Sequence, residues 1–278
     1  MDEPLFISRR ALAQRLGRPD APLVIDVRRE ARFAAADHRV VGALRAEPPG
    51  AADQDLVVYC VFGHEVSQQA ARELRAAGRR AWALEGGIEG GEPGVDDAAF
   101  IERVRAEPLP LVRQRRDLGV GGESPSHWIT RERPRIDRIA CPWLVRRFID
   151  PQAVFDFAPT SEVLARAASL GAVAFDIPGA PITHVGERCS FDALIDAFEL
   201  RLPALDRLAT IVRGADTDRL ALDPACAGLL ATSLGLARLH DGDDHALLAA
   251  GMVVYDALYD WCVADVQRSN ETHSWRPA

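Results

Sequence analysis

Long apolar runs, a positive charge balance and closely spaced cysteines are all missing from this sequence, and each absence removes a class of function. No stretch approaches the roughly 20 apolar residues that a bilayer-spanning helix needs. The opening MDEPLFISRR starts acidic and has neither an apolar core nor a cleavage site, so no membrane association and no signal peptide are expected, and a cytoplasmic location is the expectation. The 278 residues carry 33 Lys and Arg against 41 Asp and Glu, a formal charge of −8, which gives no support to non-specific binding of nucleic acid or an anionic surface. A helix-turn-helix pattern is absent, as is a Gly-rich dinucleotide fingerprint, so a DNA-reading repressor and a nicotinamide-dependent reductase are not expected. Five cysteines, Cys60, Cys141, Cys189, Cys226 and Cys262, are far apart and odd in number, which argues against a disulfide framework or a paired-cysteine zinc site.

What remains is a globular chain, 48% apolar and 27% charged, long enough for two cores. Residues 1–98 read as an α/β domain with a parallel sheet, because strand patterns at 23–25, 55–59 and 80–84 alternate with a helical pattern at 67–77. A helix over 100–105 closes it. Residues 99–126 form the expected linker, where Glu107-Pro108-Leu109-Pro110 and Gly119-Val120-Gly121-Gly122 combine prolines, glycines and charge. Residues 127–278 read as a second, α+β and mainly helical domain. Its strands are expected at 127–130, 153–157, 172–177 and 181–185, and its helices at 161–169, 191–198, 204–213, 225–239 and 245–266. The last helix is apolar on nearly every face, which predicts a buried central helix.

Parallel sheets place their sites at the carboxyl ends of the strands, and Cys60 stands at one. The loop Val61-Phe62-Gly63-His64-Glu65-Val66 runs from it straight into a helix. Such a loop can curl its N–H groups around the sulfur while the helix dipole favours negative charge there. Residues 4–91 resemble the rhodanese family. The likeness lies in Val24-Ile25-Asp26-Val27-Arg28, Phe33, the segment ending in Gly42-Ala43, the Cys60 loop with Gly63, and Leu84-Glu85-Gly86-Gly87. The resemblance implies that Cys60 carries sulfane sulfur as a persulfide and that Asp26 and Arg28 brace its loop. Two features depart from the family. The loop has Val61, His64 and Glu65 where many rhodaneses have cations, and Gly90-Gly91 replaces a tryptophan. Fewer loop cations argue against a dianion such as thiosulfate as the natural donor.

The second domain opens on a basic stretch in an acidic protein. Arg131, Arg133, Arg135, Arg138, Arg146 and Arg147 flank a strand-to-helix transition between His127 and Asp150. Guanidinium forks beside the free N–H groups of a helix start suit an oxyanion; a solvated or ion-paired face is the plain alternative. Further on, His184, Glu187, Arg188, Cys189 and Asp192 lie within nine residues, Arg213 stands near Asp216 and Asp218, and Asp256 and Asp260 are one helical turn apart. His184, Glu187 and Asp216 would supply nitrogen and oxygen ligands to a divalent ion; helix capping and internal pairing would explain the same residues without one.

Residues 128–262 also resemble the chromate-resistance family with a ChrB-type domain. The matching motifs are Asp137-Arg138-Ile139-Ala140-Cys141-Pro142-Trp143-Leu144, Phe148-Ile149-Asp150, Gly186-Glu187-Arg188-Cys189, Arg213-Gly214-Ala215-Asp216-Thr217-Asp218 and Val254-Tyr255-Asp256-Ala257-Leu258-Tyr259. The resemblance implies a role in chromate tolerance and makes Arg131, Arg138 and His184 candidate chromate contacts, joined by Arg188 and Arg213 as oxyanion ligands. Where regulators of that family are expected to carry a DNA-binding segment, this chain has the rhodanese-like half.

The leading expectation is a two-domain stress protein that joins a persulfide-carrying, sulfurtransferase-type Cys60 to an arginine-rich oxyanion domain, with Cys141 and Cys189 as candidate redox relays. Its small-molecule partner would be an oxyanion or a sulfur donor, and a chromate-efflux or thiol-pathway protein is a candidate macromolecular partner. No organic cofactor is called for, and no oligomeric state follows. A non-catalytic chromate or metal sensor and a divalent-metal enzyme centred on His184, Glu187 and Asp216 are the alternatives.

Overall fold

The computed structural model describes residues 4–47 and 53–266; the termini of both expected domains, 1–3 and 267–278, and the segment 48–52 lie outside them. Strands β1 (Phe6–Ile7), β2 (Leu23–Asp26), β3 (His38–Val40), β4 (Leu56–Tyr59), β5 (Ala81–Leu84) and β6 (Leu111–Arg113) alternate with helices α1 (Arg9–Ala13), α2 (Glu30–Ala34), α3 (Glu65–Ala76) and α4 (Ala98–Ala106). Four of the strands make a wholly parallel sheet in the order β1-β5-β4-β2. Every residue of β2 and β4 is buried, as expected where both faces of a parallel sheet are covered. Side-chain alternation splits them cleanly: Leu23, Ile25, Leu56 and Val58 join α3 in one apolar cluster, whereas Val24, Val57 and Tyr59 face another.

That second cluster continues without a break into the carboxy-terminal half, where it takes in Trp128, Trp143, Phe148, Leu205 and Tyr255. The stretch expected as a linker is packed against it. β6 pairs antiparallel with β3, Val112 and Val120 are buried, and the Arg113 amide donates to the carbonyl of Phe198 at 2.9 Å. Two further contacts tie the halves: Gly42 N–H donates to the Phe148 carbonyl at 2.9 Å, and the fully buried Arg39 reaches the Ile149 carbonyl at 2.8 Å.

The carboxy-terminal half is built on β7 (His127–Arg131), β8 (Val154–Ala158) and β9 (Val173–Ala174), a parallel sheet in the order β8-β7-β9. Helices α5 (Ile136–Leu144), α6 (Val163–Leu170), α7 (Ser190–Ala197), α8 (Pro203–Asp216), α9 (Ala225–Leu239) and α10 (Asp244–Val266) surround it. The protein is thus a mixed α/β fold with parallel sheets and ten α-helices among the described residues. Pro142 inside α5 removes the N–H that would bond the Arg138 carbonyl, and the chain continues as a widened turn over Val145–Ile149. Trp143, fully buried, is ringed by Phe148, Phe191, Tyr255 and Tyr259, with centroids 5.5 to 6.4 Å away.

Three expectations are corrected here. Residues 181–185 form no strand: Ile182 makes a single bridge to Phe175, and Val185 one to Arg188 across a tight turn, because Pro181 and Gly186 limit any ladder. The 23-residue α10 is one-sided instead of central. Leu247, Leu248, Gly251, Met252, Tyr255, Tyr259 and Cys262 are buried while Val253 and Trp261 are exposed. By length and composition alone α10 could cross a membrane, which corrects the reading that no stretch comes near that length. Its buried face packs on α5, α8 and α9, so its apolar character on that side is used for internal packing.

Because Trp143 joins α5 to α7 and α10 in one aromatic group, Trp143→Ala is expected to cost about 3–5 kcal/mol of unfolding free energy. Urea denaturation followed by circular dichroism measures it, and a loss below about 1 kcal/mol would remove this residue from the centre of the core.

Candidate functional site

At the carboxyl end of β4, Cys60 is buried and its Sγ lies 3.2 Å from Ser67 Oγ in the first turn of α3. Phe62, Gly63 and His64 carry the chain from Cys60 to α3, and their backbone N–H groups meet no protein acceptor among the described residues. Gly63 has φ +78° and lies so close to the neighbouring loop that a Cβ would come within 2.6 Å of Gly87 N and 2.7 Å of Gly86 N, so only glycine fits there. Ile88 N–H and Glu89 N–H in turn donate to the carbonyls of Cys60 and Val61 at 3.1 and 2.9 Å.

Asp26 and Arg28 contact each other and the residue before Cys60, and no hydrogen bond from either to residues 61–66 is found among the described residues. Asp26, at the end of β2, accepts from Arg28 Nε at 3.0 Å, Arg28 Nη2 at 2.6 Å and the Tyr59 hydroxyl at 2.7 Å, and Tyr59 immediately precedes Cys60. A cavity of about 320 Å³ opens beside the sulfur, lined by Arg28, Arg29, Arg32, Cys60, Phe62 and His64 among others. The cations absent from the loop are therefore supplied by the β2–α2 turn and by α2. His64 is turned towards carboxylates, with Nε2 at 2.9 Å from Asp96 and Nδ1 at 3.4 Å from Glu92.

The second constellation lies beyond the carboxyl ends of β7 and β9. Asp137, in the first turn of α5, is 1% exposed and accepts the two N-terminal amides of α7, Ser190 N–H at 2.7 Å and Phe191 N–H at 2.9 Å. Those amides are the donors a helix start leaves unpaired. Asp176, which follows β9 with φ +52°, accepts from Ser190 Oγ at 2.9 Å and pairs with Arg131 at 2.8 Å and Arg138 at 3.4 Å. His184 Nε2 stands 3.2 Å from Asp176, 3.3 Å from Asp216 and 3.4 Å from Asp137. Asp137, His184 and Asp216 are the one group among the described residues whose ligand atoms all lie within 4.8 Å of one another in the manner of a metal site.

Electrostatics follow from this crowding. Hydrogen bonding to Asp137, opposed by partial burial and helped by the charges of Asp137, Asp176 and Asp216, raises the His184 imidazole from 6.5 to about 9. Burial, then the charges of Asp137 and Asp176, pushes the Asp216 carboxyl above the usual range. Cys141 and Cys189 adjoin the cluster, their thiols 3.6 and 3.5 Å from Asp137 and Asp192. Burial and these carboxylates push both thiols upward, which disfavours the thiolate a relay would need.

Of the residues singled out in the sequence, His184 and Asp216 are brought together and Glu187 is not. Glu187 is 84% exposed and pairs with Arg219 at 3.0 Å. The arginines expected to hold an oxyanion are each occupied: Arg131 and Arg138 by Asp176, Arg188 by Asp196 at 2.7 Å and Asp192 at 3.6 Å, and Arg213 by Asp192 at 3.6 Å. The sequence reading did not single out Asp137 and Asp176 for the centre. The cavity beside Cys60 shares no lining residue with this cluster.

In metal-free protein the His184 ring is expected to titrate by NMR near 9 instead of 6.5. Since the folded value is the higher one, the stability it contributes is complete below 6.5 and is lost as pH rises through about 9. The denaturation midpoint of wild type should therefore fall towards that of His184→Gln over this window; a midpoint of titration near 6.5 would contradict the geometry.

With the geometry in place, comparison with known proteins assigns the half that holds the cluster. Residues 128–262 match the family described as ChrB, C-terminal domain. Over 133 residues the chain is 38% identical to Protein ChrB of Cupriavidus metallidurans (strain ATCC 43123 / DSM 2839 / NBRC 102507 / CH34), a stretch covering 48% of this chain and 39% of that protein. The chain thus matches about two fifths of that relative's length. Every residue of the Asp137–Asp176–His184–Asp216 cluster falls inside the matched span, and the carboxy-terminal half of this protein is a ChrB-type domain.

Proposed function

We propose that this protein serves chromate tolerance as a ChrB-type protein whose amino-terminal half is a rhodanese-like sulfur carrier, with a persulfide on Cys60. The observation that carries the reading is the setting of Cys60 at the end of a parallel strand, followed by a loop whose Phe62, Gly63 and His64 amides have no protein acceptor among the described residues, with Ser67 Oγ at 3.2 Å and an arginine-lined cavity beside it. Amides aimed at one point stabilise a negative sulfur without a counter-ion. The chromate part rests on the ChrB-type assignment of residues 128–262.

In the transfer step the Cys60 thiolate attacks the outer sulfur of an anionic donor. The donor's sulfur bond breaks, its electron pair leaves with the departing sulfite or thiolate, and the new sulfur–sulfur bond leaves the negative charge on the terminal atom. The amide N–H groups of Phe62, Gly63 and His64 would donate hydrogen bonds to that atom. Arg29 and Arg32, at the wall of the cavity, attract the donor's negative end. Glu65 and Glu92 on the same wall oppose a second negative charge, which favours a monoanionic persulfide over thiosulfate.

An oxyanion entering the carboxy-terminal cluster would have to displace Asp176 from both Arg131 and Arg138, so anion recognition belongs to the Cys60 cavity in this account.

Mass spectrometry after treatment with an organic persulfide is expected to find one added sulfur on the Cys60 peptide, absent in Cys60→Ser. Arg32→Ala should raise KM for the donor about tenfold, roughly 1.4 kcal/mol, with kcat little changed. A chromate-sensitive host should regain tolerance with the wild-type chain and not with Cys60→Ser. No adduct on Cys60, or full rescue by Cys60→Ser, would overturn the sulfur-carrier reading.

A further inference from the structure

The carboxy-terminal cluster has a geometry that internal pairing does not account for. One imidazole nitrogen, His184 Nε2, meets carboxylate oxygens from three different elements at 3.2, 3.3 and 3.4 Å. A charge-assisted hydrogen bond between such groups is shorter, about 2.7–2.9 Å, and a single N–H points at one acceptor only. The spacing fits another arrangement. Bonds of about 2.0–2.2 Å from nitrogen and oxygen ligands to a tetrahedral divalent ion set neighbouring ligand atoms about 3.3–3.6 Å apart.

We infer that Asp137 Oδ2, His184 Nε2 and Asp216 Oδ2 form a binding site for a first-row divalent cation of the Zn²⁺ or Mn²⁺ kind. One nitrogen and two oxygen ligands suit such borderline ions and leave a position open to water or a small substrate. The ligands come from α5, the loop before α7 and the end of α8, so the cation closes three elements onto one point. Their support is already in place. Asp137 is held by the Ser190 amide on Oδ2 at 2.7 Å and the Phe191 amide on Oδ1 at 2.9 Å, and a carboxylate oxygen that accepts one hydrogen bond keeps a second lone pair for an ion. Asp176 stands beside the ring nitrogen, with Arg131 at 2.8 Å and Ser190 Oγ at 2.9 Å holding its own oxygens, and so remains outside the ligand set. His184 is 41% exposed and Asp216 19% exposed, which gives an ion a path from solvent, whereas Asp137 at 1% is the fixed inner ligand.

This site is independent of the Cys60 reading, and the two are tested on different atoms. The full-length protein, stripped with chelator, is titrated by calorimetry with Zn²⁺ and separately with Mn²⁺. Wild type, Glu187→Gln and Cys60→Ser are expected to bind about one equivalent with similar affinity. Asp216→Asn and His184→Gln should bind at least about tenfold more weakly, with circular dichroism confirming that they are folded. Should either variant fail to fold, the visible spectrum of Co²⁺-loaded wild type decides, four-coordinate bands being expected and a purely hexaaquo spectrum overturning the site. No saturable binding of either ion by wild type, binding retained in both ligand variants, or loss on Glu187→Gln would overturn it as well.

Discussion

A carboxyl group removed from water needs donors in place of the lost solvent, and the carboxy-terminal half is arranged around one such group. Asp137 is 1% exposed and takes its donors from the start of α7, which fixes α7 against α5 at a single point. Once that joint is made, the loop before α7 brings His184 over the carboxylate. The end of α8 brings Asp216 to the same place, and Asp176 enters from β9 on the arm of Arg131. The apolar part of the joint is Trp143, one turn and a half along α5, stacked on Phe191 of α7. Polar and apolar contacts between the same two helices thus act together.

The amino-terminal half solves a related problem with backbone instead of side chains. The loop that follows Cys60 at a buried strand end is held close to the next one by the approach of Gly63 to Gly86-Gly87, and its amides are the donors the proposed sulfur site would use. Side-chain cations stand back at the cavity wall. The two sites have different chemistry, soft sulfur in one and hard oxygen with imidazole in the other, and they share a core without sharing a cavity.

Much of this was legible in the sequence wherever periodicity and punctuation agree. The apolar strand patterns at 23–25 and 55–59 and the helical spacing from α7 onward correspond to β2, β4 and the later helices because each is a local signal. Charge pairing is not local. Six arginines near one turn suggested an anion site, yet their partners, Asp176 for Arg131 and Asp256 for Arg147, lie 45 and 109 residues away in sequence. Glu187 was chosen for its nearness to His184, but a tight turn points it to solvent and Arg219. Asp137 and Asp176 went unmarked because the second sheet was not read as parallel. Had it been, the carboxyl ends of β7 and β9 would have pointed to Arg131 and Asp176. The apolar wrap of α10 misled in the same way, since composition counts apolar residues without saying which of them meet a neighbour.

The carboxylate and imidazole cluster stands or falls as a cation site. Anomalous diffraction at the zinc edge, from crystals of the full-length protein grown with Zn²⁺, tests that most directly. The account predicts a single strong peak among Asp137 Oδ2, His184 Nε2 and Asp216 Oδ2, about 2.0–2.2 Å from each. An empty cluster under saturating zinc, with His184 still contacting all three carboxylates, would contradict it.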